Sequence, residues 1–349
     1  MRVMPVGSTV GVCVLYVAFT GAILCCLDKL LRYLSCKLTI GLMVLSVIAL
    51  AGLQLQFDPY TLQVDRWSAI HNFLDYLLHG EYPYAAQTHL GGYASPFPVW
   101  QILHLPFFLL GNVGLSFVVC LLFYTDSLRR LYDLRTSAFA FTMLLLSPAF
   151  LYEVCVRSDL MSNFLCCAAI IQYLKHYNIR FLHHWVLLAI ICGLMLSTRL
   201  SVAIPFIIYY FEEFLHAGIK RIVAFPLLTI FVFALTFLPF AIWNWNELFF
   251  FRYNPFELQT RQGLIINDIF IIEVSLITAW LRCGKWHIYL MATSGCLLAL
   301  VALNFVSKMY IYDCWGELFG SSFDITYFNM AMPFVVTAIA HRKNTALAI

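Results

Sequence analysis

Uninterrupted apolar runs of nearly twenty residues recur along the whole chain. Coiled as an α-helix, about 20 apolar residues cross the roughly 30 Å hydrocarbon core of a bilayer. Inside lipid, backbone N–H and C=O groups need partners within the structure, which helices and closed β-barrels provide. A barrel needs strands of about ten residues with alternating polarity, and that pattern is absent. The sequence therefore predicts an all-α, polytopic membrane protein.

The composition favours the same class of protein. Hydrophobic residues are 62% of the 349 residues and charged residues 11%, against about 45–50% and about 25% in soluble domains. No linker, low-complexity tract or internal repeat is visible, so we expect a single transmembrane domain over residues 1–349. The prolines and glycines of 98–123, and Thr198 with Arg199, are candidate helix breaks. Hydropathy predicts about eleven spans, near residues 8–27, 38–56, 98–123, 137–152, 158–174, 185–199, 201–215, 222–243, 264–281, 287–311 and 327–340.

The basic residues indicate which loops are cytoplasmic, because lysine and arginine accumulate on that side of a membrane. One set of alternate loops holds 14 of the 21 basic residues, and the opposite loops hold most of the acids. We therefore expect the C-terminus to lie inside and the long polar loop at 57–97 to lie outside. The fourteen residues are Lys29, Arg32, Lys37, Arg129, Arg130, Arg135, Lys175, Arg180, Lys220, Arg221, Arg282, Lys285, Arg342 and Lys343.

The loop at 57–97 is the first large external loop and contains a helical pattern. From Asp65 to His79, apolar and polar residues each keep helical spacing. This pattern predicts an amphipathic helix that lies in the outer membrane interface. Asp65 falls in the first turn, where the helix dipole favours a carboxylate. A helix-capping role and a functional role for Asp65 are both compatible with this position.

This loop resembles that of a known family. Asp65 at the start of an interfacial helix, then Gly-x-Tyr-Pro-Tyr at 80–84 and a proline-rich return to the membrane, is similar to the GT-C superfamily of membrane glycosyltransferases. The likeness is closest to its bacterial mannosyltransferase-like and arabinosyl or aminoarabinosyl transferase-like branches. It implies an inverting transfer of a sugar from a polyprenyl-phosphate donor to a lipid or glycan acceptor. It also implies a site on the external, periplasmic face of the bacterial inner (plasma) membrane.

Positions that match the family motifs are candidate site residues. Asp65 matches the catalytic acid of the first loop, and Glu81 is a looser second match. The turn from Arg157 to Asp159 resembles a short outer turn of the family. The stretch from Asp324 to Tyr327 resembles its last motif, without the arginine found there. The candidate substrate-binding residues, from these motifs and from an aromatic-rich outer loop at 243–263, are Tyr82, Tyr84, Asn254, Gln259, Asp324 and Tyr327.

The chemistry of this transfer needs a base and positive charge. A carboxylate can take the proton of the acceptor hydroxyl, and arginine can hold phosphate oxygens with paired N–H groups. Ion pairing with Glu153, Asp159 or Glu257 is a role equally open to each outer cation. The candidate phosphate-binding residues are Arg157, Arg199, Arg252, Arg261 and Lys308.

Other functions and ligands stay open at this point. A lipid or sugar transporter or flippase is the alternative, although no inverted repeat is visible, and a structural membrane protein is a third class. No cofactor is assigned, because one clear acid and one looser match are too few to argue a metal site; a divalent metal stays open. No basic stripe with interleaved aromatics indicates nucleic acid. The expected partners are the lipid-linked donor, the acceptor and the lipid bilayer.

Overall fold

The chain is helical throughout the residues that the computed structural model describes, namely 6–261, 263–281, 284–315 and 324–347. Within these ranges no β-strand forms, and only an isolated antiparallel bridge joins Gln87 to Tyr93. The predicted all-α class is confirmed. The α-helices are α1 Val6–Tyr33, α2 Cys36–Gln54, α3 Arg66–His79, α4 Pro98–Leu103, α5 Leu105–Leu109, α6 Leu115–Leu131, α7 Leu134–Leu145, α8 Pro148–Cys155, α9 Leu160–His176, α10 Phe181–Leu196, α11 Ala203–Leu215, α12 Ile219–Trp243, α13 Trp245–Phe249, α14 Pro255–Thr260, α15 Ile265–Leu281, α16 Trp286–Ile311 and α17 Met332–Leu347.

Four helical segments in the described ranges are long and apolar enough to cross a membrane. Their outward side chains are exposed hydrocarbon, as at Val17, Leu45 and Ile242. Exposed apolar surface of this extent marks a membrane or partner contact, so these helices indicate a membrane-embedded protein. The four segments are Gly11–Leu31, Cys36–Gln54, Ile219–Trp243 and Trp286–Ile311.

The other predicted spans coincide with shorter helices. Helices α6, α9, α10, α11, α15 and α17 have 13 to 17 residues, whereas an upright span needs about 20. Helices α7 and α8 together are long enough for one span, but they are bent by 73° before Pro148. Within the described ranges, four helical segments are long and apolar enough to span a membrane, or five if this bent pair is counted as one span. The count of about eleven stays a prediction.

Both candidate breaks are present. Residues 98–123 form α4, α5 and the start of α6, with Gly111 in the left-handed conformation (φ 81°) before α6. Pro106 lacks an N–H, so it cannot donate a hydrogen bond to the Ile102 carbonyl and continue α4, which ends at Leu103. Pro106 instead lies in the first turn of α5. Between α10 and α11, Arg199 is extended and a 3₁₀ turn follows at Leu200–Val202.

The predicted amphipathic helix is present as α3. It ends at Gly80, whose left-handed backbone (φ 76°) accepts the reversal of the chain. Its apolar face is buried, with Ile70, Phe73 and Leu74 at 1% exposure or less. This face packs against aromatic rings of the returning loop and of α12, including Phe240. The packing fixes the N-terminus of α3, where the first candidate site residue lies.

Candidate functional site

Asp65 immediately precedes α3 but does not cap it through its side chain. Its carboxylate Oδ2 accepts a hydrogen bond of 2.8 Å from Thr88 Oγ1. Thr88 is held in turn by Gly92, which donates its N–H to Thr88 Oγ1 and accepts from the Thr88 N–H. A Cβ atom at position 92 would lie 2.7 Å from Asp65 Oδ2. The missing side chain of Gly92 therefore makes room for this half-buried carboxylate.

Arg66, the first residue of α3, points into a group of polar side chains. Its Nη2 donates to Asp324 Oδ2 at 2.5 Å and to Thr326 Oγ1 at 2.8 Å. Its Nη1 donates to Ser158 Oγ at 3.0 Å, and the guanidinium lies 5.2 Å from the centre of the Tyr327 ring. Arg66 thus joins the first outer loop to the segment before α17.

Asp324 is ionised because of this neighbour. Burial alone would raise the pKa of its carboxyl group, but the Arg66 guanidinium and two hydrogen bonds from Thr326 outweigh burial and hold that pKa below its usual value. Asp324 also caps the 3₁₀ helix Ile325–Ala331 through the Thr326 N–H. The same carboxylate therefore orders this helix and the N-terminus of α3.

Glu153 adds a second acid on the other side of Arg66. Its side chain is completely buried, and its Oε1 lies 3.9 Å from Arg66 Nη1. Oε1 also accepts a hydrogen bond of 2.8 Å from Asn329 Nδ2. Helix α8 carries Glu153 to this position because the bend before Pro148 turns α8 away from the axis of α7.

A buried ion pair joins Asp159 to Arg199. Asp159 Oδ2 lies 2.6 Å from Arg199 Nη2, and the two side chains are 1% and 5% exposed. The same oxygen accepts a hydrogen bond of 2.9 Å from Trp100 Nε1. Asp159 Oδ1 and Arg199 Nε are buried and have no hydrogen-bond partner in the described part of the chain. This pair therefore retains one acceptor and one donor that the protein does not use.

The turn between α8 and α9 gives three consecutive side chains different partners. Arg157, in the left-handed conformation (φ 53°), donates to the carbonyl groups of Gln54 and Phe57. Ser158 accepts from Arg66, and Asp159 pairs with Arg199. We call Arg66, Glu153, Asp159, Arg199 and Asp324 the charged cluster. Residues 157–159 connect its first part, Arg66 with Glu153 and Asp324, to its second part, the Asp159–Arg199 pair.

A cavity of about 400 Å³, the outer cavity, lies beside the charged cluster. Arg199 of the charged cluster belongs to its lining. Tyr327, whose ring lies 5.2 Å from the Arg66 guanidinium, belongs to it as well. Most of the lining is aliphatic, and the α15 side chains Ile265 and Ile269 are 74% and 53% exposed on the protein surface. The cavity thus has one strongly basic group and a wall that reaches the exposed apolar surface of α15. The other polar residues of its lining are Ser95, Ser201, Gln259, Thr260, Asp268 and Asn304.

Four predicted site residues meet at this place. Arg199, Gln259 and Tyr327 line the outer cavity, and Asp324 holds Arg66 beside Tyr327. Gln259 also donates to the carbonyl of Ser95 at 2.8 Å, which ties α14 to the first outer loop. Asp65 does not line the outer cavity. It contacts the loop that contains Ser95 through Thr88, which bonds to Gly92, three residues before Ser95.

The remaining predicted cations have other surroundings. Arg157 binds carbonyl groups at the end of α2, and Lys308 donates to the carbonyl of Arg261 at 2.6 Å. Arg261 is exposed, as is Arg252, whose guanidinium lies 5.3 Å from the centre of the Tyr253 ring. None of these four residues lines the outer cavity.

The remaining predicted acid, tyrosines and amide take part in local structure. Glu81 is exposed in the turn after α3. Tyr84 is buried against Phe73, at a ring distance of 4.8 Å, and Tyr82 packs edge-on against Trp243. Asn254 caps α14 by accepting the N–H groups of Phe256 and Glu257. These contacts give each residue except Glu81 a role in shaping the outer loops.

Sequence reasoning did not select Arg66, Trp100 or Thr88 as site residues. Arg66 directly follows Asp65, and its charge beside a predicted first-turn acid was the available signal. Trp100 lies in an apolar segment, where nothing in the sequence distinguishes a hydrogen-bonding indole from a membrane-facing one. Thr88 reaches Asp65 only because the loop folds back at the Gln87–Tyr93 bridge.

No group of three or more His, Cys, Asp or Glu side chains in the described residues is arranged to hold a metal ion. Comparison of the whole chain with protein-family models, with curated proteins and with solved structures finds no match. The function has to be argued from the site itself.

Proposed function

We propose that this protein is a membrane glycosyltransferase that moves a sugar from a polyprenyl-phosphate donor to a lipid or glycan acceptor. Asp65 is the base, and Arg199 binds the donor phosphate. The proposal also includes the topology and location of the protein. It has about eleven membrane spans, α3 lies in the outer membrane interface, and the site is on the external face of the bacterial inner membrane. It rests on the resemblance of the first loop to the GT-C superfamily and on the geometry of the outer cavity.

The observation that carries the proposal is the combination of groups in the outer cavity. A prenyl phosphate is a hydrocarbon chain that ends in a compact anion, and this cavity offers aliphatic walls together with one buried arginine. The exposed isoleucines of α15 would let the chain enter from the bilayer. An arginine in a site shielded from water binds phosphate far more strongly than one in bulk solvent.

The ion pair with Asp159 places Arg199 well for binding the donor phosphate. The carboxylate holds Nη2 at 2.6 Å, while Nε has no acceptor in the described residues. The Trp100 indole fixes the carboxylate and therefore the direction of the guanidinium.

Asp65 is suited to the acceptor side of the reaction. It removes the proton of the acceptor hydroxyl as that oxygen bonds to the anomeric carbon, and the bond from this carbon to the phosphate oxygen breaks. The leaving polyprenyl phosphate keeps the electron pair and the negative charge, which Arg199 stabilises. The carboxylate is half buried and accepts only the hydrogen bond from Thr88 among the described residues, so lone pairs remain for a hydroxyl proton.

The test is a transfer assay on the purified chain in lipid nanodiscs. A panel of polyprenyl-phosphate sugars is offered with a mixture of membrane lipids and glycans, and the release of polyprenyl phosphate is measured. Release that requires the protein and an acceptor supports the proposal. Movement of the intact donor across liposome membranes, without its cleavage, would instead establish the flippase alternative.

A further inference from the structure

Asp268 is the one acid that lines the outer cavity among the described residues. It lies in the first turn of α15 and is partly exposed. Its Oδ1 accepts a hydrogen bond of 2.9 Å from Asn304 Nδ2, and its Oδ2 accepts none from the described part of the chain. One carboxylate oxygen is therefore left to accept a hydrogen bond from a molecule in the cavity.

Asn304 fixes the direction of this carboxylate. Its Oδ1 accepts the Leu264 N–H and one N–H of Asn267, both at 2.9 Å. Because a backbone N–H can only donate, the amide oxygen of Asn304 must face Leu264, and its NH₂ group faces Asp268. Asn304 is 6% exposed and belongs to α16. The carboxylate is thus held between two helices, α15 and α16.

Gly263 leaves room for the carboxylate. A Cβ atom at this position would lie 2.8 Å from Asp268 Oδ2, 2.9 Å from Asp268 Oδ1 and 3.2 Å from Asn304 Nδ2. Gly263, Asp268 and Asn304 all belong to the cavity lining, so the carboxylate lies among residues that border the cavity. The helix dipole favours an acid in a first turn, but it requires neither the buried amide nor this glycine.

The acid and the base of this lining have different partners. Arg199 is already paired with Asp159 at 2.6 Å, whereas the neutral Asn304 is the side chain that bonds to Asp268. A carboxylate in a largely apolar cavity favours groups that donate hydrogen bonds to it. A second anion would be repelled there, whereas the hydroxyl groups of a sugar are neutral donors.

We propose that Asp268 recognises the hydroxyl groups of the sugar that the donor carries. This inference rests on the proposed function, and it adds sugar recognition by Asp268 to phosphate binding by Arg199. Asp268 Oδ2 accepts a hydrogen bond from a sugar hydroxyl, while Asn304 and Gly263 hold the carboxylate in place. A site built to hydrogen-bond a hydroxyl group strongly rejects a molecule that lacks it. Asp268 therefore helps to determine which sugars bind.

The test compares two lipids with the same prenyl chain, polyprenyl phosphate and a polyprenyl-phosphate hexose, on the full chain in nanodiscs. The hexose is whichever of mannose, glucose and galactose the native chain binds most tightly. Asp268→Ala should weaken binding of the hexose lipid by about tenfold, because a hydrogen bond to a charged group is lost. Binding of polyprenyl phosphate should be unchanged or stronger, because the variant removes a negative charge from the cavity.

A second variant moves the carboxylate without removing its charge. Gly263→Ala should weaken binding of the hexose lipid by about threefold or more and retain the affinity for polyprenyl phosphate. Glu273→Gln is the control for charge, since Glu273 is exposed on the same helix as Asp268 and does not line the cavity. Gly295→Ala is the control for size, because a Cβ atom there meets nothing within 4 Å. Both controls should bind both lipids as the native chain does.

The outcomes separate this inference from the proposed function. Equal weakening of both lipids by Asp268→Ala would show a structural role, and unchanged binding of the hexose lipid would show no role in recognition. Either result overturns the inference and leaves the phosphate site at Arg199 in place. A native chain that binds polyprenyl phosphate but none of the three hexose lipids overturns it as well. Failure of the native chain to bind any of these lipids would overturn the proposed function, and this inference with it.

Discussion

Asp159 and Arg199 form an ion pair with 2.6 Å between Oδ2 and Nη2, with both side chains almost completely buried at the edge of the outer cavity. Removing one member of such a pair leaves an uncompensated charge and typically costs about 3–5 kcal/mol. A test of Arg199 should therefore keep its charge and alter only its shape.

We predict that Arg199→Lys weakens binding of the polyprenyl-phosphate donor by about tenfold or more. Lysine can still pair with Asp159, but it loses the planar N–H fork that holds two phosphate oxygens. Donor titration measures the change, and thermal melting on the same sample reports on folding. Arg180→Lys is the control, because Arg180 contacts Asn178 at an exposed position. Unchanged donor affinity in Arg199→Lys would remove Arg199 from the donor site.

Replacing Asp65 by asparagine should abolish transfer and leave the melting temperature nearly unchanged. An amide keeps the size of the side chain and still accepts the Thr88 hydrogen bond, but it cannot take a proton. Single-turnover assays measure the loss. Asp75→Asn, an exposed change on the same helix, should retain full activity. If Asp65→Asn retained normal turnover, the base would have to be another group.

Adding one methyl group at Gly92 should reduce kcat by about tenfold. The new Cβ atom would lie 2.7 Å from Asp65 Oδ2, so the carboxylate must move, and misplacement of a reacting group by about 1 Å can cost about a hundredfold in rate. Gly41→Ala is the matched control, because a Cβ atom there meets nothing within 4 Å. Equal kcat values for Gly92→Ala and Gly41→Ala would show that the carboxylate position is not critical.

The Arg66–Asp324 pair should stabilise the protein above about pH 4 and lose this effect in acid. The folded-state pKa of Asp324 is depressed below the unfolded value of about 3.9, so the stabilisation is present above that value and disappears as pH falls through the folded pKa. Melting temperatures of the native chain and of Asp324→Asn should therefore differ at pH 7 and converge as the pH falls through the folded-state pKa of Asp324. A constant difference across this range would mean that the ionised carboxylate contributes no stability.

The predicted orientation of the protein in the membrane can be tested with a membrane-impermeant maleimide. A cysteine at exposed position Gln87 should be labelled from the external side, and one at exposed position Lys220 only after permeabilisation. The unsubstituted chain gives the background from its own cysteines. Labelling of the Lys220→Cys variant in sealed cells would reverse the predicted orientation and move the site to the cytoplasmic face.

The helical class, the helix at 65–79 and the breaks at 98–123 and near Arg199 could be predicted because each depends on local sequence. Apolar runs, helical spacing, proline and glycine act within a few residues. Pairing with Asp159 was one of the roles left open for Arg199, and the structure shows this pair. The contacts of Arg66 with Glu153 and Asp324 could not be predicted, because they join residues across some 260 positions of sequence. The number of membrane spans could not be predicted either, because apolar helices of 13 to 17 residues are intermediate in length between a full membrane span and a buried helix of a protein core.

The short turn between α8 and α9, which contains residues 157–159, differs from an ordinary surface loop. Loops usually tolerate insertions and deletions, but here three neighbouring side chains hold the end of α2, the start of α3 and the outer cavity. One added residue would rotate every later side chain out of register with its partner. The length of this connection is therefore fixed by the contacts that its three side chains make.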